Sequence, residues 1–334
     1  MAILNKEFTK FDTEIKLNKN KKDDLIKSKE AIKDKIKKYF KEEKENEIQP
    51  KFWGQGSFSM NTTINPIPIK DEKGNNLYKY DLDYGVYFIK KEDSDIKRSI
   101  NTWHDWVYNA VENHTNQLPD RKTTCIRVVF SDGHHIDLPI YYKDGDVPEL
   151  AHKSKGWIES DPKEFYEWFN KEAKSNQIKK IVRVLKAWKN FKETNNSSLK
   201  LPSGFALSIL IVNNYEDNDN LDIAFRETIR KIKSSLDDRF ECLRPTTPEN
   251  EDIFENYSPT KKNNFLSALD SLIKACDLAN DEDNFKNASE HLRKHLGDRF
   301  PLGKDESEKE KNNSLEKSLG SAIIPPKPYA NGWE

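Results

Sequence analysis

The chain has 334 residues, enough for two units of the roughly 100–200 residues usual for a domain and for a sizeable core. Charged residues reach 34% and hydrophobic ones only 35%, so the surface is heavily charged, but 56 Lys+Arg against 57 Asp+Glu leave a net charge of −1, which excludes a global attraction to nucleic acid or to an acidic membrane. Cys125, Cys242 and Cys276 stand too far apart for a CxxC metal knuckle, and three cysteines make no disulfide framework, which suits a reducing cytoplasm. No apolar run long enough to span a membrane and no secretory h-region is readable.

From residues 5 to 45 the chain is mostly Lys, Glu, Asp and Ile. Phe8, Phe11, Ile15, Leu25, Ile32, Ile36 and Phe40 recur at helix-like intervals, which predicts one long or broken helix. The basic block Lys19 to Lys22 is followed at once by Asp23 and Asp24 and reads as a solvated face. Between Phe52 and Tyr142, short runs of Tyr, Phe, Ile and Val separated by Gly, Pro and Asn predict the sheet. Tyr78–Phe88 reads as one strand, and Thr124–Phe130 with His135–Tyr142 as a hairpin closed by Ser131-Asp132-Gly133. From Ser160 the pattern turns helical, with Asp161 as a cap, Pro162 in the first turn and Glu164 placed to reach back.

In Asn176–Glu193 the residues Ile178, Ile181, Val182, Leu185, Trp188 and Phe191 form an apolar stripe. Further helices are expected at Ser203–Asn214, Leu221–Phe240, Lys262–Asn280 and Asp283–His295, with the proline-bearing Arg244–Pro259 as a loop. Lys304–Lys317 is charged and poor in apolar residues, as suits a flexible tail, and Ile323-Ile324-Pro325-Pro326 could redock or bind a partner. The expected organisation is a core over 1–158, a helical domain over 159–300 and a tail over 301–334.

The chemistry begins at Tyr80-Asp81-Leu82-Asp83-Tyr84. Residues two apart on a strand share a face, so these two carboxylates converge. Acids are poor strand formers, and two on one face repel unless a cation or solvent neutralises them. A bare D-x-D is nevertheless common. Upstream, Gly54-Gln55-Gly56-Ser57-Phe58-Ser59 reads as a turn entering a helix. Such a turn either brings backbone N–H groups and a hydroxyl to phosphate oxygens or is a plain Gly-Ser turn with a capping serine. Asp137, in His135-Ile136-Asp137-Leu138-Pro139, adds a third acid to the sheet. Hard oxygen ligands of this kind bind Mg²⁺, and two ions about 3.5–4 Å apart can clamp an in-line displacement.

This order, G-S, then D-x-D, then a lone Asp on a neighbouring strand, resembles the polymerase-β-like nucleotidyltransferase superfamily. Within it, Gly54-Gln55-Gly56-Ser57-Phe58, Asp81-Leu82-Asp83-Tyr84-Gly85-Val86 and the helical half look like the cGAS/DncV-like enzymes of bacterial antiphage (CBASS) systems, over about Phe52 to Phe254. The resemblance implies an α/β (α+β) fold: a polymerase-β-like core with a small mixed twisted sheet, plus a C-terminal helical domain, as two lobes around a central cleft. It implies Mg²⁺-dependent synthesis of a cyclic di- or trinucleotide from ATP, with GTP or other nucleoside triphosphates as further substrates, and release of pyrophosphate. Mn²⁺ could substitute. A separate effector protein would read the product, and a partner protein could activate the enzyme.

Residue by residue, the resemblance makes Asp81 and Asp83 the paired metal ligands and Asp137 the third carboxylate, which also helps activate the attacking hydroxyl. Gln55, Gly56 and Ser57 match the segment that holds the donor triphosphate. Arg127 resembles a nucleotide-contacting arginine, with a plain strand arginine as the alternative. Lys186, in Leu185-Lys186-Ala187-Trp188-Lys189, resembles a phosphate-binding lysine and is preferred to Lys189. Ser203 would meet the triphosphate or simply cap its helix, and Asp252 would read a base edge or serve turn chemistry.

The chain departs from the animal DNA sensor of this group in having no Cys/His cluster, so neither a zinc thumb nor direct DNA or RNA activation is implied. His134-His135 lack metal spacing, and His291 with His295 lack the glutamate of H-E-x-x-H, so all four read as structural. Two other readings stay open: a nucleotidyltransferase that modifies RNA 3′ ends, a protein or a small molecule, and an inactive nucleotide-binding module.

Overall fold

The structure, a computed structural model, describes residues 1–70, 72–307 and 310, so the expected docking segment Ile323-Ile324-Pro325-Pro326 lies outside the described residues. The charged N-terminal stretch forms two helices, α1 (Asn5–Ile15) and α2 (Lys19–Glu43), separated where Lys16 adopts extended backbone. Asn18 caps α2 by accepting from the Lys21 N–H at 2.9 Å. The break sends the pieces to different cores. Leu25, Ile32, Ile36 and Phe40 lie on the sheet, whereas Phe8, Phe11 and Ile15 pack among the C-terminal helices. The first piece therefore does not flank the sheet core as expected.

The core continues through β1 (Lys51–Gln55), α3 (Gly56–Ser59), β2 (Ile69–Lys70), β3 (Asn76–Leu77), β4 (Asp81–Ile89), α4 (Ile100–Val111), β5 (Asp120–Arg121), β6 (Cys125–Val129), β7 (His135–Lys143), β8 (Pro148–His152) and β9 (Gly156–Glu159). Apart from the β2–β3 ribbon these strands form one mixed sheet in the order β1-β4-β7-β6-β5, with β8 on β7 and β9 on β8. β4 runs antiparallel to β1 and parallel to β7, and β6 and β7 form the expected hairpin. Parallel neighbours need a crossover, and α4 lies within it. This helix is absent from the sequence reading. It places Trp103 on Phe88 with ring centroids 3.8 Å apart.

Alternation along the two central strands sets the function of each face. Leu82, Tyr84, Val86 and Phe88 of β4, with Ile136, Leu138 and Ile140 of β7, are buried against α2 and α4. The residues between them, Asp81, Asp83, His135 and Asp137, therefore lie on the opposite face, toward the helical half.

That half comprises α5 (Pro162–Glu172), α6 (Asn176–Asn195), α7 (Gly204–Asn213), α8 (Leu221–Asp238), α9 (Pro259–Asp281) and α10 (Phe285–Leu296). Asp161 caps α5 as expected, accepting from Lys163 N and Glu164 N. Residues 301–307, assigned from composition to a flexible tail, instead pair back onto the start of α10: Gly303 N donates to Ser289 Oγ at 2.9 Å and Phe285 N to the Glu306 carbonyl at 3.1 Å. These backbone partners outweigh the low apolar content. Among the described residues no helix is long and apolar enough to cross a membrane.

One buried ion pair ties α1 to α6 and to the turn below the site. Arg183 Nε and Nη2 donate to Asp12 at 2.7 and 2.9 Å, and its Nη1 donates to the Asn61 carbonyl at 2.7 Å. The side chains are only 1% and 8% exposed. Arg183→Ala leaves a buried carboxylate without its partner and should cost about 3–5 kcal/mol in chemical denaturation. A loss below about 1 kcal/mol would show that the pair does not hold α1 in place.

Candidate active site

The parallel register of β4 and β7 pairs Asp81 with His135 and Asp83 with Asp137. One ligand atom each from Asp81, His135 and Asp137 lies within 4.8 Å of the other two. Asp83 sits under the Gly56 turn, close enough that a Cβ on Gly56 would stand 2.1 Å from its Oδ2. The three acids expected from the sequence thus share one face of two adjacent strands. Burial, then the Asp81 and Asp137 charges, holds the Asp83 carboxyl well above the usual carboxylate range, with Arg127 and Lys186 pulling the other way.

Arg127 lies opposite Asp137 across the β6–β7 pairing. Its Nε and Nη2 each donate to one Asp137 oxygen at 2.7 Å, a two-pronged pair. Here the arginine expected to touch a nucleotide is turned onto the third carboxylate. His135 is half-buried beside both, and burial, with Arg127 next, lowers its pKa.

Gly56 opens α3 at φ +67°, a left-handed conformation that glycine adopts without strain. The absence of a side chain here lets the turn rest directly on Asp83. Ser57 Oγ pairs with Thr63 Oγ1 at 2.9 Å. Gln55 is buried and anchors the turn from below: its Nε2 donates to Tyr141 Oη at 3.1 Å, and Tyr87 Oη donates to its Oε1 at 3.3 Å.

From the helical side, the stripe of α6 buries Leu185 and Trp188 and leaves Lys186 facing the acids. Lys186 Nζ donates to the Thr62 carbonyl at 2.9 Å. Burial pulls its pKa down to about 8, against the Asp81 and Asp83 charges, which raise it. Gly204 makes room for the lysine, since a Cβ there would stand 3.0 Å from Lys186 Cε.

Between the halves lies a cavity of about 470 Å³, lined by the Gln55-Gly56-Ser57 turn, Asp81 and Asp83 from the sheet half and by Phe165, Lys186, Phe205 and Arg244 from the helical half. That volume suits a small-molecule ligand. A second cavity of about 220 Å³ shares Ser57, Asp81 and Lys186 and adds Lys79 and Lys189. Ser203 and Asp252 line neither cavity. Ser203 Oγ caps α7 by accepting from Ala206 N at 3.2 Å. Asp252 Oδ1 accepts from Cys242 N and Phe254 N at 2.8 and 2.9 Å and so shapes its own loop. Arg244, expected from the sequence only as the start of a loop and not as a site residue, stacks 5.4 Å over the Phe205 ring and pairs with Glu251 at 3.0 Å. A single arginine in a proline-bearing loop carries no spacing signal that could have found it.

Residues 50–141 match the family described as Cyclic GMP-AMP synthase DncV-like, nucleotidyltransferase domain. The chain is 30% identical to the Cyclic GMP-AMP synthase of Escherichia albertii over 239 residues, 69% of this chain and 50% of that protein. It is 22% identical to the Cyclic GMP-AMP synthase of Vibrio cholerae serotype O1 over 321 residues, 75% of this chain and 68% of that protein. The chain thus spans about half the length of the Escherichia albertii relative. The crystal structure of Vibrio cholerae DncV cyclic AMP-GMP synthase with nonhydrolyzable GTP superposes with a TM-score of 0.72 at 18% identity, covering 87% of this chain and 95% of that one. The same enzyme with the linear intermediate 5′ pppA(3′,5′)pG gives 0.71 at 19% identity, covering 86% and 93%. At such low identity these two likenesses establish the shared fold. Residues 50–141 thus form a cGAS/DncV-like nucleotidyltransferase domain, and this match spans the strands that carry Asp81, Asp83 and Asp137.

Proposed function

We propose that this chain is a divalent-cation-dependent nucleotidyltransferase that joins nucleoside triphosphates, ATP and GTP among them, into a cyclic di- or trinucleotide with release of pyrophosphate. The product would serve antiphage signalling in the cytoplasm through a separate effector, with a partner protein as activator. The observation that carries this reading is the set of three carboxylates on one sheet face beneath the Gly56-Ser57 turn. Relatives of this chain are named Cyclic GMP-AMP synthase.

The donor set fits a hard cation: Asp81, Asp83 and Asp137 offer carboxylate oxygens, and the raised Asp83 pKa marks a crowded negative charge that a cation would relieve. Bound there, Mg²⁺ or Mn²⁺ would neutralise charge on the transferring phosphoryl group and acidify the attacking hydroxyl. The turn's backbone N–H groups and the Ser57 hydroxyl face the donor triphosphate, and Lys186 adds a positive charge beside it. Asp137 lies next to the attacking hydroxyl, and Arg127 reaches the nucleotide from that carboxylate. Phe165, Phe205 and Arg244 flank a base. Ser203 and Asp252 act by holding α7 and the loop at the rim.

Incubation of the full chain with labelled ATP, GTP, CTP and UTP plus Mg²⁺ or Mn²⁺ tests the reading. Phosphatase-resistant oligonucleotides formed by the wild type and absent with Asp81→Ala/Asp83→Ala are expected, and equal product from the double variant would sink it. Label transferred to added tRNA would show RNA-end modification instead.

Lys186 supplies a pH signature. With its pKa near 8, it is charged below that pH and loses its proton above it. Triphosphate affinity should therefore fall as pH climbs from about 7 to about 9.5, with proton uptake on binding in the upper part of that range. Lys186→Arg keeps its charge and should flatten the profile in a fluorescence titration. An unchanged profile in the variant would remove Lys186 from the phosphate site.

A further inference from the structure

His134 and His135 show no metal spacing in the sequence, yet the sheet treats the two rings differently. His134 is spent within the protein: Nδ1 pairs with Asp132 Oδ1 at 2.5 Å, Nε2 with Ser28 Oγ at 3.0 Å, and the ring stacks on Phe130 at 4.3 Å. His135 lies on the other face of β7, two residues from Asp137 and opposite Asp81. A His135 ring nitrogen and one oxygen each from Asp81 and Asp137 lie within 4.8 Å of one another. Side-chain shifts of less than about 1 Å would close that triangle onto an ion with bonds of about 2.0–2.2 Å.

We propose that His135 is a nitrogen donor to the ion that Asp81 and Asp137 hold, so that this centre prefers a first-row transition ion, Mn²⁺, to Mg²⁺. The inference rests on the reading above that the carboxylates hold a divalent cation. Mg²⁺ demands hard oxygen ligands, whereas imidazole binds first-row transition ions, Mn²⁺ the most weakly of them, so Mn²⁺ is the mildest test of the preference. Arg127 reinforces the preference. By occupying both Asp137 oxygens at 2.7 Å it reduces the negative charge that Asp137 offers a hard ion, so a neutral nitrogen donor counts for more.

The test uses the full chain loaded with Mn²⁺ alone. Pulsed electron paramagnetic resonance of the wild type should show modulation from a directly bound nitrogen, and His135→Gln should lose it. Mn²⁺ affinity should fall about tenfold or more in that variant, while Mg²⁺ affinity, measured by competition, should change less than about twofold. Bound Mn²⁺ without nitrogen modulation in the wild type would overturn the inference whether or not the variant folds. Equal losses for both ions would also overturn it. If the wild type bound no Mn²⁺ at all, the carboxylate centre itself would be refuted, a distinct failure.

Discussion

Asp83→Asn should lower the rate of phosphodiester formation by about a thousandfold or more and yet leave the metal-free protein at least as stable as the wild type. The rate falls because phosphoryl transfer depends on placed charge, and each group of this kind accounts for several kcal/mol of barrier. Stability holds because Asp83 is crowded by Asp81 and Asp137 and pushed toward its neutral form, and an amide mimics that form without the repulsion. The sign in pH follows. A carboxyl whose folded pKa is raised binds its proton more tightly folded than unfolded, so without cation the wild type gains stability as pH falls toward the usual carboxylate range. The Asn variant should lack that gain. Mg²⁺ should raise the melting temperature of the wild type more than that of the variant. Product formed at an unaltered rate by Asp83→Asn would remove this carboxylate from the chemistry.

Gly56→Ala is the second large effect, expected to reduce turnover about a hundredfold or more. A left-handed backbone at φ +67° costs an L-residue roughly 1–2 kcal/mol. The new Cβ would also stand 2.1 Å from Asp83 Oδ2. The Asp side chain is short, so relief means moving the carboxylate, and misplacement by about 1 Å at a reacting centre costs about a hundredfold. Gly145 gives the matched control: it too has positive φ, 90°, but a Cβ there meets nothing within 4 Å. Gly145→Ala should show a similar loss in denaturation with unchanged turnover. Equal rate losses in both variants would mean that backbone strain, and not the contact with Asp83, causes the effect.

Much of this protein is readable from short-range pattern. Alternation marks β4, Ser131-Asp132-Gly133 closes the β6–β7 hairpin, and side-chain caps start α5 at Asp161 and α7 at Ser203. Helix α4 was readable in principle, since Trp103, Val107, Ala110 and Val111 recur at helical spacing behind the Ser99 cap. Its aromatic texture resembles that of the strands around it, which hid the period. β8 and β9 are short and carry charged residues, so alternation is too brief to show.

The sequence by itself determined which residues could do the chemistry, because the spacing of Asp81 and Asp83, the glycine before Ser57 and the stripe that leaves Lys186 off the core of α6 are properties of single elements. Only the tertiary structure decided who meets whom. The parallel register of β4 and β7 sets His135 against Asp81, and the β6–β7 pairing sets Arg127 against Asp137. The partition of the N-terminal helices between two cores and the approach of Arg244 to the cavity are likewise tertiary facts. A strand's pattern states which face a side chain takes but not which residue of the next strand lies opposite. That choice is made by sheet register and by burial over long sequence separation.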